Sequence, residues 1–150
     1  VGYRRQQNNE TGIVAELAVA DILKTHGDIV HRDDNNGSPD LILYSNPTNY
    51  GIEVKSITVG RHSKRRGIEE GNVRIEKTSF NNLLSFCSES SLSPLFIVEL
   101  RFRHPIGKHY FVFSMDRIKE LCNRKENTTT FALSYWNVYK NGVALEDWKP

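Results

Sequence analysis

Apolar positions along the chain change period several times, and each change marks an element. From Ile13 to Leu23 every residue is apolar except Glu16 and Asp21. Good helix formers dominate here, Thr11 or a preceding Asn can cap the start and Gly27 can end it, so the stretch predicts a helix buried nearly all round. The polar residues 1–9 predict a frayed start. Asp28–Arg32 is a strand candidate, and Asp33-Asp34-Asn35-Asn36-Gly37-Ser38 is dense in turn formers. Leu41–Tyr44 and Tyr50–Ile57 read as two strands joined by the turn Asn46-Pro47-Thr48-Asn49. Gly60–Asn72 is polar, basic and glycine-containing, the pattern of a long loop. Ser79–Ser88 places Phe80, Leu83, Leu84 and Cys87 on one helical face. Leu95–Leu100 is a near-continuous apolar run, as in a strand buried on both faces. His109–Phe113 predicts a strand, Asp116–Asn123 an amphipathic helix, and the aromatic-rich Phe131–Tyr139 a last strand. The order predicts an α/β fold in one domain, 1–150. A central mixed β-sheet is flanked by helices, with an αβββαβ core over roughly 10–100 and a C-terminal strand-helix-strand extension over 101–150.

Composition narrows the class without naming a function. Hydrophobic residues at 38% and charged residues at 25% fit a soluble globular domain. No apolar run is long enough to span a bilayer, so no membrane partner is expected. The start, Val1-Gly2-Tyr3-Arg4-Arg5-Gln6-Gln7, has no signal-peptide pattern, and the missing Met suggests a trimmed chain or a piece of a longer one. Cys87 and Cys122 lack metal-ligand spacing and read as buried free thiols of a reducing, cytoplasmic compartment. His62, His104 and His109 lack ligand spacing too, so no zinc is expected, and His26 and His31 read as surface or satisfied histidines. Tyr135, Trp136 and Tyr139 read as core or interface aromatics.

A net charge of +2 is weak evidence for a nucleic-acid partner, but its distribution is uneven. Arg61, Lys64, Arg65, Arg66, Arg74 and Lys77 form one basic stretch, and Arg101, Arg103, His104, Lys108 and His109 a second. Each is either a phosphate-contacting strip or a solvated surface.

The candidate chemistry lies on the two strands after the Gly37 loop. Strand alternation puts Glu53 and Lys55 on one face of the second, with Ile52 and Val54 on the other. If the strands pair, Asp40 approaches Glu53 near the sheet edge. Two carboxylates and the Val54 backbone carbonyl offer the oxygen donors a hard cation such as Mg²⁺ requires. Lys55 would then orient the attacking water, help deprotonate it, or stabilise charge developing on a phosphoryl group. Glu16 joins the set because a lone carboxylate in an apolar helix is costly unless paired or metal-bound. The plain alternative is a cross-strand ion pair between Glu53 and Lys55 on a solvated face. Asp147-Trp148-Lys149 repeats the acid-x-Lys pattern in the tail, without a Pro-Asp strand before it, and reads as a surface turn.

The run Ser38-Pro39-Asp40-Leu41-Ile42, followed by Ile52-Glu53-Val54-Lys55-Ser56, resembles the PD-(D/E)XK signature of restriction-endonuclease-like nucleases. With Glu16 in the first helix it resembles the archaeal Holliday junction resolvases of that superfamily. The resemblance implies a Mg²⁺-dependent endonuclease, with Mn²⁺ able to substitute, whose catalytic residues are Glu16, Asp40, Glu53 and Lys55. Metal would be held by Asp40, Glu53, Val54 and Glu16. DNA contacts would come from Ser38, Arg32, Arg61, Lys64, Arg65, Arg66, Arg74 and Lys77. The implied substrate is DNA, first of all a four-way junction or other branched form, cut by a homodimer. A restriction- or repair-type endonuclease on duplex DNA is the alternative within the class, and a non-catalytic DNA-binding domain the alternative outside it.

Overall fold

The computed structural model describes residues 2–32, 37–62, 69–70, 72–103, 106–122 and 130–150. Helix α1 (Gly2–Leu23) leads into strands β1 (Asp28–His31), β2 (Leu41–Tyr44) and β3 (Asn49–Val59). Two short strands, β4 (Arg61–His62) and β5 (Glu69–Glu70), pair with each other, and β6 (Asn72–Glu76) runs into helix α2 (Lys77–Glu89). Strands β7 (Ser93–Arg103) and β8 (Ile106–Ser114) follow, then α3 (Met115–Leu121), β9 (Thr130–Ser134), α4 (Tyr135–Asn141), β10 (Val143–Ala144) and a closing 3-10 turn, Leu145–Asp147.

The main sheet has the order β1-β2-β3-β7-β8-β10, with β3 and β7 parallel and the other pairs antiparallel. This is the expected αβββαβ core with a C-terminal extension. Pairing decides which face each strand residue takes. Leu41 and Ile52 are partners, and they join Ala15, Val19 and Leu23 of α1 in one buried cluster. Glu53 aligns with Phe96 and Lys55 with Val98, and those partners face a second cluster with Phe80, Leu83 and Cys87 of α2. The sheet is thus covered by α1 on one side and by α2, α3 and the β6–β9 ribbon on the other.

Four expectations need correction. The chain is already helical at Gly2, so residues 2–9 are not a frayed start. Helix α1 is buried along one stripe only: Ala15, Val19 and Leu23 face the sheet, while Ile13, Val14 and Leu17 are 44%, 44% and 55% exposed. The Gly60–Asn72 loop contains the β4–β5 pair, and the chain then forms β6 against β9. Phe131–Tyr139 is not one strand, because the Ser134 hydroxyl accepts the Asn137 N–H at 3.3 Å and starts α4 there. Cys87 and Cys122 are buried and free, as expected. Among the described residues, no helix is long and apolar enough to cross a membrane.

Candidate active site

Asp40 closes the loop before β2 and is pinned through its backbone. Its N–H donates to the Ile52 carbonyl and its carbonyl accepts the Arg32 N–H, both at 2.9 Å. Its side chain turns to β3, where Oδ2 accepts the Val54 N–H at 2.8 Å. In an extended strand the N–H and C=O of one residue leave on the same edge, so the Val54 carbonyl lies on Asp40's side.

Glu53 is only 7% exposed. Lys55, two residues on, brings Nζ to 3.4 Å from Glu53 Oε1. The Ser38 hydroxyl donates to Oε2 of the same carboxylate. Glu16 is half-buried on α1. Its charge reaches Asp40, as does that of Glu53. Burial, then Glu53, push the Asp40 carboxyl from 3.8 up to about 8; the Val54 N–H pulls it back, Glu16 adds a smaller push, and Lys55 a still smaller pull. The four residues singled out from sequence therefore share one electrostatic neighbourhood.

An aspartate that keeps its proton near neutrality marks a site short of positive charge. The donor set fits a hard divalent cation, with Asp40 and Glu53 as carboxylates, the Val54 carbonyl beside them and Glu16 near. Among the described residues, no three His, Cys, Asp or Glu side chains close into a ready-made cage. One or two carboxylates completed by water and substrate oxygens is the usual environment of Mg²⁺.

The residues assigned to nucleic acid divide. Arg32 braces the Asp40 loop: Nη1 donates to the Pro39 carbonyl at 3.3 Å, and the guanidinium sits 4.0 Å over the Phe86 ring. Ser38 is taken up by Glu53. Arg74 is exposed on β6, and Lys77 is half-buried as the first residue of α2. Lys64, Arg65 and Arg66 lie outside the described residues, and Arg61 is described by its backbone alone. Asp147 and Lys149 are exposed, in keeping with a surface turn. Trp136 and Tyr139 are 54% and 56% exposed and stack on one another, so they are not core aromatics.

Sequence reasoning missed two participants. Phe86, the platform for Arg32, lies within the predicted helix but is not among the residues assigned to its apolar face. Glu99 is a fully buried carboxylate within the apolar run of β7. The signal that singled out Glu16, an acid among apolar neighbours, was present at Glu99 as well.

No protein-family model matches the chain, and no curated protein matches it. Its fold is similar to that of Archaeoglobus fulgidus Hjc, a Holliday junction resolvase from an archaeal hyperthermophile solved at 1.6 Å. The TM-score is 0.60 at 14% identity, over 93% of this chain and 99% of that one. At this identity the likeness is one of fold, and it extends beyond the αβββαβ core into the C-terminal elements.

Proposed function

We propose that this chain is a Mg²⁺-dependent endodeoxyribonuclease of the PD-(D/E)XK type, acting on Holliday junctions or other branched DNA. The observation that carries the reading is the interlocked set of Asp40 on the Val54 N–H, near-buried Glu53, and Lys55 at 3.4 Å from Glu53, with Glu16 within electrostatic reach. A purely binding module has no use for buried carboxylates that repel phosphate. The similarity in fold to a resolvase supports the substrate class.

Asp40, Glu53 and the Val54 carbonyl would hold the cation, with Glu16 beside them. When bound, Mg²⁺, or Mn²⁺ in its place, supplies Lewis acidity at the phosphoryl group and lowers the pKa of water. The Lys55 ammonium stabilises negative charge on the phosphoryl oxygens as the attacking oxygen approaches. Ser38 fixes the Glu53 carboxylate, and Arg32 holds the backbone of the loop that presents Asp40. Arg61, Lys64, Arg65, Arg66, Arg74 and Lys77 engage the DNA backbone. Symmetric cutting of a junction requires two such sites, hence a homodimer. The two buried thiols suit a reducing intracellular compartment.

The test compares a four-way junction with a linear duplex of matching sequence, with and without Mg²⁺. The expected result is Mg²⁺-dependent cleavage of the junction, abolished by Asp40→Ala and by Glu53→Ala. Equal cleavage of both substrates would move the assignment to a restriction- or repair-type enzyme. Cleavage that survives either substitution would overturn the metal site, and binding without cleavage would leave a DNA-binding domain. Sedimentation velocity reads the dimer.

A further inference from the structure

The second basic stretch lies, at one end of the sheet, beside the point where the first begins some forty residues earlier. The last β3–β7 pair is Val59 with Phe102, and the β7–β8 ladder runs on to Arg103 with Ile106. Gly60, at φ +110°, turns the chain out of β3 so close to β7 that a Cβ there would lie 3.2 Å from Arg103 Cβ. The backbone of Arg61 and His62 therefore starts beside Arg103.

Pairing also sorts the second stretch by face. Glu99 aligns with Ser56 and Tyr110, and Arg101 with Thr58 and Lys108. With a period of two, Glu99, Arg101 and Arg103 share a face with Lys108. His109 and Phe102 take the other face, their rings 5.6 Å apart. Arg103 and Lys108 are exposed, and among the described residues neither is paired with a carboxylate. Arg101 is different, because its Nε meets Glu99 Oε1 at 3.1 Å. That oxygen also accepts the Ser56 hydroxyl at 2.9 Å. Glu99 is 0% exposed, and its Oε2 has no hydrogen-bond partner among the described residues. Burying a carboxylate this deeply is unfavourable unless its charge is used. Here it holds one guanidinium by Nε, and a guanidinium held at that atom still has its two Nη donors to offer an oxyanion. A merely solvated basic strip needs no such anchor.

We propose that this face of the β7–β8 hairpin, carrying Arg101, Arg103 and Lys108, is a second DNA-contacting surface that grips backbone phosphates flanking the scissile one. The proposal rests on the nuclease reading, since its ligand is that enzyme's substrate. Arg101 aligns with Thr58, three residues beyond Lys55 and so about 10 Å along the strand, on the opposite face. It contacts a neighbouring phosphate and takes no part in bond cleavage.

The test is equilibrium binding of a fluorescent four-way junction and a linear duplex by the whole chain in EDTA, across a salt series. Each lost phosphate contact reduces the slope of log K against log salt by about 0.9. Arg103→Gln with Lys108→Gln should therefore reduce the slope by about 1.8 and weaken binding at least severalfold at moderate salt. Lys140→Gln, an equal type of charge loss elsewhere, should leave the slope unchanged. Arg101→Gln should act in the same direction, with a thermal melt confirming that it folds. Unchanged slope and affinity in the double variant, while the native chain binds DNA, would overturn the proposal and leave the nuclease reading standing. Lost affinity for anionic vesicles with DNA binding intact would overturn it in favour of a membrane surface. A chain that binds through this strip but never cleaves would sink the nuclease reading alone, and a chain with no DNA affinity at low salt would sink both.

Discussion

Replacing Asp40 with Asn should change stability in opposite directions with and without metal. In the metal-free protein the Asp40 carboxyl is raised from 3.8 to about 8, chiefly by burial and by Glu53. A carboxyl raised on folding contributes stability that is full below its unfolded value and lost as pH climbs through its folded value. The window is thus from about pH 4 to about pH 8. Roughly four units at about 1.4 kcal/mol each set a ceiling of about 6 kcal/mol. Relaxation and water around a partly accessible group reduce this to about 2–3 kcal/mol. Asn has the same shape and its carbonyl oxygen can still accept the Val54 N–H, so Asp40→Asn removes the charge and little else. In EDTA the variant and the native chain should be nearly equally stable at about pH 4, and by about pH 9 the variant should be more stable by about 2–3 kcal/mol. Urea denaturation across that range measures the difference, in which contributions of other groups cancel. In excess Mg²⁺ the order should reverse, because only the native chain gains the binding energy of the ion. A difference that stays constant with pH would refute the account of Asp40 as an acid kept neutral by burial and by its acidic neighbours.

Three further outcomes follow from the same geometry. Lys55→Met should lower kcat on the junction by about 10²–10³-fold with KM little changed, since the ammonium acts on charge that develops only in the transition state. Ser38→Ala removes the donor to Glu53 Oε2, worth about 1 kcal/mol, and should raise the Mg²⁺ concentration for half-maximal cleavage by roughly fivefold. Gly51→Ala should lower stability by about 1–3 kcal/mol in a thermal or urea melt, because its Cβ would lie 2.5 Å from Cys87 Sγ. Cys87→Ala in the same chain should recover part of that loss.

The elements that could be read from sequence were those whose apolar pattern matched their final burial. Strand β2 is the clearest, a run of apolar residues between Pro39-Asp40 and Asn46-Pro47 whose bounds, Leu41–Tyr44, hold in the structure. β7 is longer than its apolar run, Ser93–Arg103 against Leu95–Leu100, because Arg101 and Arg103 alternate outward and resemble loop residues. Strand β6 was hidden for a similar reason, its Val73 and Ile75 set among polar neighbours. At Tyr135–Tyr139 aromatic residues suggested a strand, but the capping hydroxyl of Ser134 prevails locally and α4 forms. At the site, strand alternation was enough to place Glu53 beside Lys55. The Asp40 hydrogen bond to Val54 and the bracing of Arg32 on Phe86 depend on how the loop before β2 folds back, which no periodicity encodes. The raised Asp40 carboxyl depends on burial and on a charge delivered by α1, quantities that exist only once the layers are stacked.

Chain connectivity separates the acids from the surroundings that desolvate them. Asp40 stands just before β2 and Glu53 on β3, two strands joined by a short turn, whereas β3 ends at Val59 and its parallel partner β7 does not begin until Ser93. Pairings across such a separation form slowly, since loop closure is unfavourable before any contact rewards it. The β2–β3 hairpin can therefore bring the two carboxylates together while they are still solvated, and β7 and α2 exclude water from them only afterwards. On this ordering the repulsion within the site belongs to the last barrier of folding. A proton or a divalent ion that neutralises it then accelerates folding, and the catalytic ion becomes a kinetic participant in the maturation of the protein.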